Sequence, residues 1–106
     1  MLPGRALAGF VVIALGMISV PAHAETIQVT IDGLIFSPAE ITAKIGNTVV
    51  WRNKDIVAHT ATARGGFDVM IKPDKSASLV LTKAGIVDYY CRFHPNMTGR
   101  ITVTPD

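Results

Sequence analysis

Apolar and polar residues alternate along most of the chain after residue 25, in short runs separated by turn residues. In the first run, Ile27, Val29 and Ile31 alternate with polar neighbours, which is the period of two expected of a half-buried β-strand. Similar runs occupy residues 40–44, 48–52, 59–62, 76–81, 86–91 and 100–104, and none shows a convincing period of 3.6 residues. Six to eight short strands with turns about every 8–12 residues predict an all-β sandwich or barrel.

Turn residues divide these runs and mark one longer connection. Asp32-Gly33, Ser37-Pro38 and Gly46-Asn47 each separate two apolar runs and are typical turn pairs. Residues 63–75 contain Gly65-Gly66 and Pro73-Asp74, so we expect this stretch to be mostly loop.

The N-terminal segment has a different pattern, which is typical of an export signal. Arg5 is followed by an uncharged apolar run over residues 6–20, then by Pro21 and by Ala22-His23-Ala24. These are the three regions of a secretory signal peptide with its small-residue cleavage site. The run is shorter than the roughly 20 residues of a membrane-spanning helix, although a retained anchor is the alternative. We therefore expect residues 1–24 to be a cleaved signal peptide and residues 25–106 to form one exported domain.

Composition and charge exclude several classes of protein. The net charge is +2, and it falls to +1 without the first 24 residues because Arg5 is their one charged residue. So balanced a chain is not an electrostatic binder of nucleic acid. A single cysteine, Cys91, excludes an intramolecular disulfide scaffold and a Cys-rich zinc module. In an oxidising compartment that thiol must be buried, paired between chains or bound to a metal.

The chemistry is concentrated in one segment with the spacing Cys-x2-His-x2-Met, formed by Cys91, His94 and Met97. The thiol ends a predicted strand and the next strand is expected near Arg100, so the three side chains share a tight loop. Thiolate and thioether favour Cu(I), imidazole accepts both copper states, and thioether is a poor ligand for zinc. Two histidines and a cysteine with a weak axial methionine describe a blue-copper site. His59 is the other histidine after residue 24 and is the fourth candidate by elimination.

Four classes of function are compatible with these residues. The first is a one-electron carrier, and the second is a copper-binding protein for delivery, storage or tolerance that uses the same ligands. A copper enzyme would need a second metal site, for which no further histidine remains after residue 24. A secreted β-domain that dimerises through its free thiol is the fourth.

Two segments carry a resemblance to a known family. Residues 85–100 resemble the C-terminal part of the cupredoxins, and of the amicyanins most closely, while residues 46–53 with His59 resemble the segment that carries the first copper histidine. The resemblance extends over about residues 35–103. It implies a small Greek-key β-sandwich and a periplasmic protein that shuttles single electrons with one copper ion. It implies amine dehydrogenases as donors, c-type cytochromes as acceptors, and four metal ligands: His59, Cys91, His94 and Met97, the last axial.

The resemblance also assigns roles around the metal. Asn53 would tie the two ligand segments together, and His94 would reach the surface beside Phe93, Pro95 and Ile56 or Val57. The sequence departs from the family at Thr60, where asparagine is common, and at Phe93, where proline is common. Because phenylalanine keeps the backbone N–H that proline lacks, we hypothesise that this amide donates to the Cys91 sulfur and raises the reduction potential.

Overall fold

The structure, a computed structural model, describes residues 24–105. The expected signal peptide therefore lies outside the described residues, apart from Ala24. Between residues 24 and 105 there is no helix of the length and apolarity needed to cross a bilayer.

The described residues form nine β-strands in two sheets. The first sheet has the order β2-β1-β4-β7 and the second has the order β3-β9-β8-β5-β6. The strands are β1 (Thr26–Ile31), β2 (Phe36–Ser37), β3 (Glu40–Lys44), β4 (Thr48–Asn53), β5 (His59–Thr62), β6 (Asp68–Ile71), β7 (Ser76–Val80), β8 (Gly85–Cys91) and β9 (His94–Thr104). The predicted all-β sandwich is thus confirmed, with one strand more than the upper end of the expected range.

Residues 63–75 are mostly loop, as predicted, but the prediction missed a short strand within them. Residues 68–71 form β6, which pairs with β5 in antiparallel register. The connection is a tight turn in which the Ala63 amide donates to the Phe67 carbonyl, and Gly65 adopts a φ of 74°. A glycine-containing link between two short apolar runs is a hairpin signal, but the Gly-Gly pair was interpreted as the start of a loop. Met70 lies exposed on this edge strand.

Alternation of burial along β1 and β4 explains how the first sheet covers the core. In β1, Val29 and Ile31 are buried, and in β4, Val49 and Trp51 are buried, while the residues between them are partly exposed. The two strands pair in parallel, with Val29 opposite Trp51. This register places their apolar side chains on one face, which packs against the second sheet.

An aromatic cluster fills the centre of the sandwich. The Tyr89 ring centroid lies 4.8 Å from that of Phe36, 5.6 Å from that of Trp51 and 6.2 Å from that of Phe67. The indole N–H of Trp51 donates to the Tyr89 hydroxyl at 3.2 Å, so neither polar atom is left unpaired. Burial raises the pKa of Tyr89 to about 12, and the phenol therefore stays neutral at ordinary pH.

The ends of four strands converge at one end of the sandwich. Asn53 ends β4, His59 begins β5, Cys91 ends β8 and His94 begins β9. Antiparallel pairing of β5 with β8, at Thr62 opposite Tyr90, brings the start of β5 to the end of β8. This end of the fold therefore collects the candidate ligands of the sequence motif.

Gly99 provides a test of this packing. A Cβ atom at Gly99 would lie within 2.7 Å of the Tyr89 ring, because the glycine lets β9 approach that ring directly. Gly99→Ala must displace the central ring of the aromatic cluster. We expect it to lower the free energy of unfolding by about 1–3 kcal/mol, measured by urea denaturation.

Gly66→Ala is the matched control, because a Cβ there would meet Ala63 at an ordinary 3.5 Å. The control should leave the unfolding midpoint nearly unchanged. Equal stability of the two variants would contradict the packing described for Gly99.

Candidate metal centre

Three donor atoms from distant parts of the chain converge on one point. Nδ1 of His59 lies 3.7 Å from Sγ of Cys91, although the residues are 32 positions apart, and Nδ1 of His94 lies 3.8 Å from the same sulfur. All three residues offer donor atoms within 4.8 Å of one another. His59 and Cys91 are fully buried and His94 is half-buried. The structure thus brings together three of the four predicted ligands.

These separations fit a single metal ion. Typical bonds of about 2.0 Å to imidazole nitrogen and about 2.3 Å to thiolate, at trigonal angles, would place nitrogen and sulfur about 3.7 Å apart. The observed distances of 3.7 and 3.8 Å agree with that value. One thiolate and two imidazoles form the donor set that suits copper in a trigonal site.

Asp55 determines which nitrogen of His59 faces the other donors. Oδ2 of Asp55 lies 2.8 Å from Nε2 of His59. A carboxylate can only accept a hydrogen bond, so Nε2 carries the hydrogen, and in the neutral ring the lone pair of Nδ1 faces Cys91. A carboxylate on the outer nitrogen of a ligand histidine is a common device that fixes the ring and increases its basicity.

The same carboxylate also holds the turn between β1 and β2. The backbone amides of Gly33 and Leu34 donate to Asp55 at 2.7 and 3.0 Å. Both residues of the turn have positive φ, 63° and 64°, which glycine accepts readily and leucine rarely adopts. Burial opposes ionisation of Asp55, but the bonds from Leu34, Gly33 and His59 outweigh it and leave the pKa of the carboxyl below its ordinary value. Asp55 was not predicted from the sequence. The feature that could have indicated it is a carboxylate four residues before a candidate ligand histidine.

Cys91 is tied to β5 by Thr60, which is a correction to the role expected of Asn53. The Thr60 amide donates to Sγ of Cys91 at 3.4 Å, and the Thr60 hydroxyl accepts from the Arg92 amide at 2.8 Å. Asn53 instead donates to the carbonyls of Val57 and Ile71 at 2.9 and 3.2 Å. It therefore fixes the segment before His59 against β6, while the threonine next to His59 contacts the cysteine strand.

The backbone donor to Cys91 differs from the one hypothesised from the sequence. Among the hydrogen bonds of residues 24–105, the amide that donates to Sγ is that of Thr60 and not that of Phe93. Phe93 is instead half-exposed, and its ring centroid lies 5.5 Å from Cζ of Arg92. The phenylalanine is thus a surface side chain next to the ligands.

His94 and Met97 lie in strand β9 rather than in a free loop, because β9 begins at His94 and not near Arg100. Cys91 pairs with His94 while Tyr90 pairs with Thr98, so residues 95–97 bulge out of the ladder at this point. Met97 lies within this bulge, is buried, and is next to His94 at the same end of the fold. The bulge explains how three candidate ligands fit in seven residues without a long loop.

A shallow apolar depression surrounds the outer edge of His94. Its lining residues are Leu34, Phe93, His94, Pro95, Asn96 and Met97. Leu34 and Phe93 are 45% and 48% exposed, which is unusual for large apolar side chains in neighbouring positions. Phe93 and Pro95 were expected there and Leu34 was not. Ile56 and Val57 are exposed but do not line this depression.

Comparison with known proteins agrees with this geometry. The family model described as Cupredoxin-like domain matches residues 5–103. Amicyanin from Paracoccus denitrificans is 32% identical over 84 residues, which cover 73% of this chain and 64% of that protein. Amicyanin from Paracoccus versutus is 29% identical over 76% of this chain and 66% of its own length. The chain thus spans slightly less than two thirds of these relatives.

Solved structures show the same similarity in three dimensions. The reduced state of an amicyanin variant with phenylalanine in place of proline has a TM-score of 0.67 and 33% identity, over 74% of this chain and 81% of that one. An oxidised amicyanin variant with leucine in place of methionine has a TM-score of 0.68 and 31% identity, over 73% and 80%. With the family model covering nearly all of its residues, the chain belongs to the cupredoxin-like family.

Proposed function

We propose that this protein is a blue (type 1) copper electron-transfer protein of the periplasm, similar to the amicyanins. The observation that carries the proposal is the convergence of His59, Cys91 and His94 within 4.8 Å in the interior of one end of the sandwich. Bound copper would supply a reversible one-electron step between Cu(I) and Cu(II). The proposed ligands are His59, Cys91 and His94, with the buried Met97 as the axial fourth.

The residues around the metal would keep the geometry constant during that step. Asp55 fixes the His59 ring, Thr60 fixes the cysteine sulfur, and both ligands are fully buried. A site that resists rearrangement needs little reorganisation when an electron arrives. His94, half-buried in the apolar depression, is the proposed path for the electron between the metal and a docked partner.

The burial of the donors favours this function over copper delivery and over thiol-linked dimers. A delivery protein has to expose its ligands to a recipient, whereas Cys91, His59 and Met97 are buried. An interchain disulfide would likewise need Cys91 at the surface. No third histidine follows residue 24 to build the second metal site of a copper enzyme, so we propose a carrier without enzymatic activity.

The location and the partners are part of the same proposal. The pattern of residues 1–24 supports export to the periplasm through a cleaved signal peptide. The resemblance supports amine dehydrogenases as electron donors and c-type cytochromes as acceptors. The apolar depression around His94 supports docking of a protein partner, since exposed apolar patches often mark such surfaces.

A visible spectrum of the copper-loaded protein tests the function. Thiolate coordination to Cu(II) in a trigonal site produces intense visible absorption, so we expect a blue protein that bleaches on reduction. Cys91→Ser should abolish the band because the thiolate is removed. A colourless copper complex of the unmodified protein would contradict the proposal.

The two methionines provide a matched test of the axial ligand. Met97→Leu should keep the visible band and raise the reduction potential, because loss of the weak thioether donor disfavours Cu(II). Met70→Leu should leave the potential unchanged, since Met70 is exposed on the edge strand β6. Voltammetry of both variants makes the comparison, and equal potentials would exclude Met97 as a ligand.

Asp55 should contribute strongly to copper affinity. Asp55→Asn removes the charge that holds His59, and loss of such a partner typically weakens metal binding by about 10–100-fold. Competition with a Cu(I) chelator measures the affinity. Asp74→Asn is the control, because it breaks an exposed ion pair with Arg52 that does not contact the site. Equal affinities of the two variants would refute the role assigned to Asp55.

A further inference from the structure

A closed ring of hydrogen bonds lies beside Cys91. The Arg92 amide donates to the Thr60 hydroxyl at 2.8 Å, and the hydroxyl oxygens of Thr60 and Thr62 are 2.9 Å apart. The Thr62 hydroxyl lies 2.6 Å from Oδ1 of Asp68, which also accepts from Nε of Arg92 at 3.0 Å. The ring therefore begins and ends at Arg92, the residue that follows Cys91.

The direction of each hydrogen bond follows from the donors available. The Asp68 carboxylate carries no hydrogen, because bonds from Thr62 and from Arg92 hold its pKa below the ordinary value. The single hydroxyl hydrogen of Thr62 must therefore point to Asp68. The hydrogen shared between the threonines is then that of Thr60, directed to Thr62. All the donors of the ring are thus oriented towards one carboxylate, and such a chain of polarised bonds is mutually strengthening.

The ring connects a buried region with the surface. All four residues of β5 are buried, although Thr60 and Thr62 face away from the core side chain of Ala61. Arg92 and Asp68, by contrast, have 41% and 52% of their side chains exposed. If the surface pair is lost, a buried hydroxyl loses its acceptor, which costs more than breaking an exposed ion pair alone.

Both strands that carry the buried ligands are attached to this ring. Thr60 follows His59, and its amide donates to Sγ of Cys91 at 3.4 Å. We propose that the ring is a positioning device for the Cys91 sulfur, through which the surface pair Asp68–Arg92 sets the reduction potential of the copper site. The inference rests on the proposed function. A backbone N–H held against the sulfur stabilises the electron-rich thiolate of the reduced state, so the intact ring raises the potential.

Asp68→Ala tests the proposal, with Asp88→Ala as the matched control. Asp88 pairs with Arg100 at similar exposure, 67% and 48%, on the same sheet but away from the ligands. Asp68→Ala should lower the reduction potential of the copper-loaded protein. In the metal-free protein it should speed alkylation of the Cys91 thiol by iodoacetamide roughly tenfold, because loss of one bond to a charged group favours local opening. Asp88→Ala should change neither quantity.

A second pair of variants separates positioning from folding. Thr60→Val keeps the shape and removes the hydroxyl, whereas Thr60→Ser keeps the hydroxyl. Thr60→Ser should retain the potential and thiol reactivity of the unmodified protein, and Thr60→Val should resemble Asp68→Ala. The proposal is overturned if Asp68→Ala matches Asp88→Ala in both measurements, or if serine and valine at position 60 behave alike. Because alkylation needs no copper, it tests whether the ring positions the Cys91 sulfur even if the unmodified protein proves colourless with copper.

Discussion

The pairing of β5 with β8 is the constraint on which the site depends. It brings a histidine that begins one strand against a cysteine that ends another, from positions 32 residues apart. The antiparallel register of these strands, with Thr62 opposite Tyr90, brings the two ligands together. The aromatic cluster around Tyr89 supports this register from the interior, because Tyr89 belongs to β8 of the second sheet and packs against Phe36 and Trp51 of the first. The core and the donor atoms are therefore positioned by the same strand.

Much of this organisation could be predicted from local sequence patterns. The alternation in β1 and the boundaries of β3 follow directly from residue periodicity, and the Cys-x2-His-x2-Met spacing identifies the donors near the C-terminus. These features depend on neighbouring residues, which a single sequence displays. The hairpin of β5 and β6 was missed because Gly65-Gly66 is compatible both with a tight turn between two strands and with a longer loop. The antiparallel pairing of β5 with β6 decides between them, and a single sequence does not show that pairing.

The contacts that support the ligands could not be predicted, because they join segments that are distant in the chain. Asn53 was expected to contact the cysteine segment, and it contacts β6 instead. Thr60 instead makes the link to the cysteine segment: its amide donates to Cys91, and its hydroxyl accepts from the Arg92 amide. The threonine side chain is shorter than that of asparagine. Thr60 can therefore reach the Arg92 amide at 2.8 Å only because β5 lies close to the end of β8. Such a replacement becomes visible only when the backbone distance is known.

The carboxylate of Asp55 joins two features that would otherwise be free to vary independently. It holds the inner histidine, and it also holds the turn that presents Leu34 at the edge of the surface depression. A substitution that reshapes this turn to suit another partner therefore also alters the support of a metal ligand. The proposed docking surface can thus change on this side only by routes that preserve one acidic group. Among the described contacts Phe93 has no such link to His59, so a substitution at Phe93 can reshape that side of the depression and leave the support of the histidine intact.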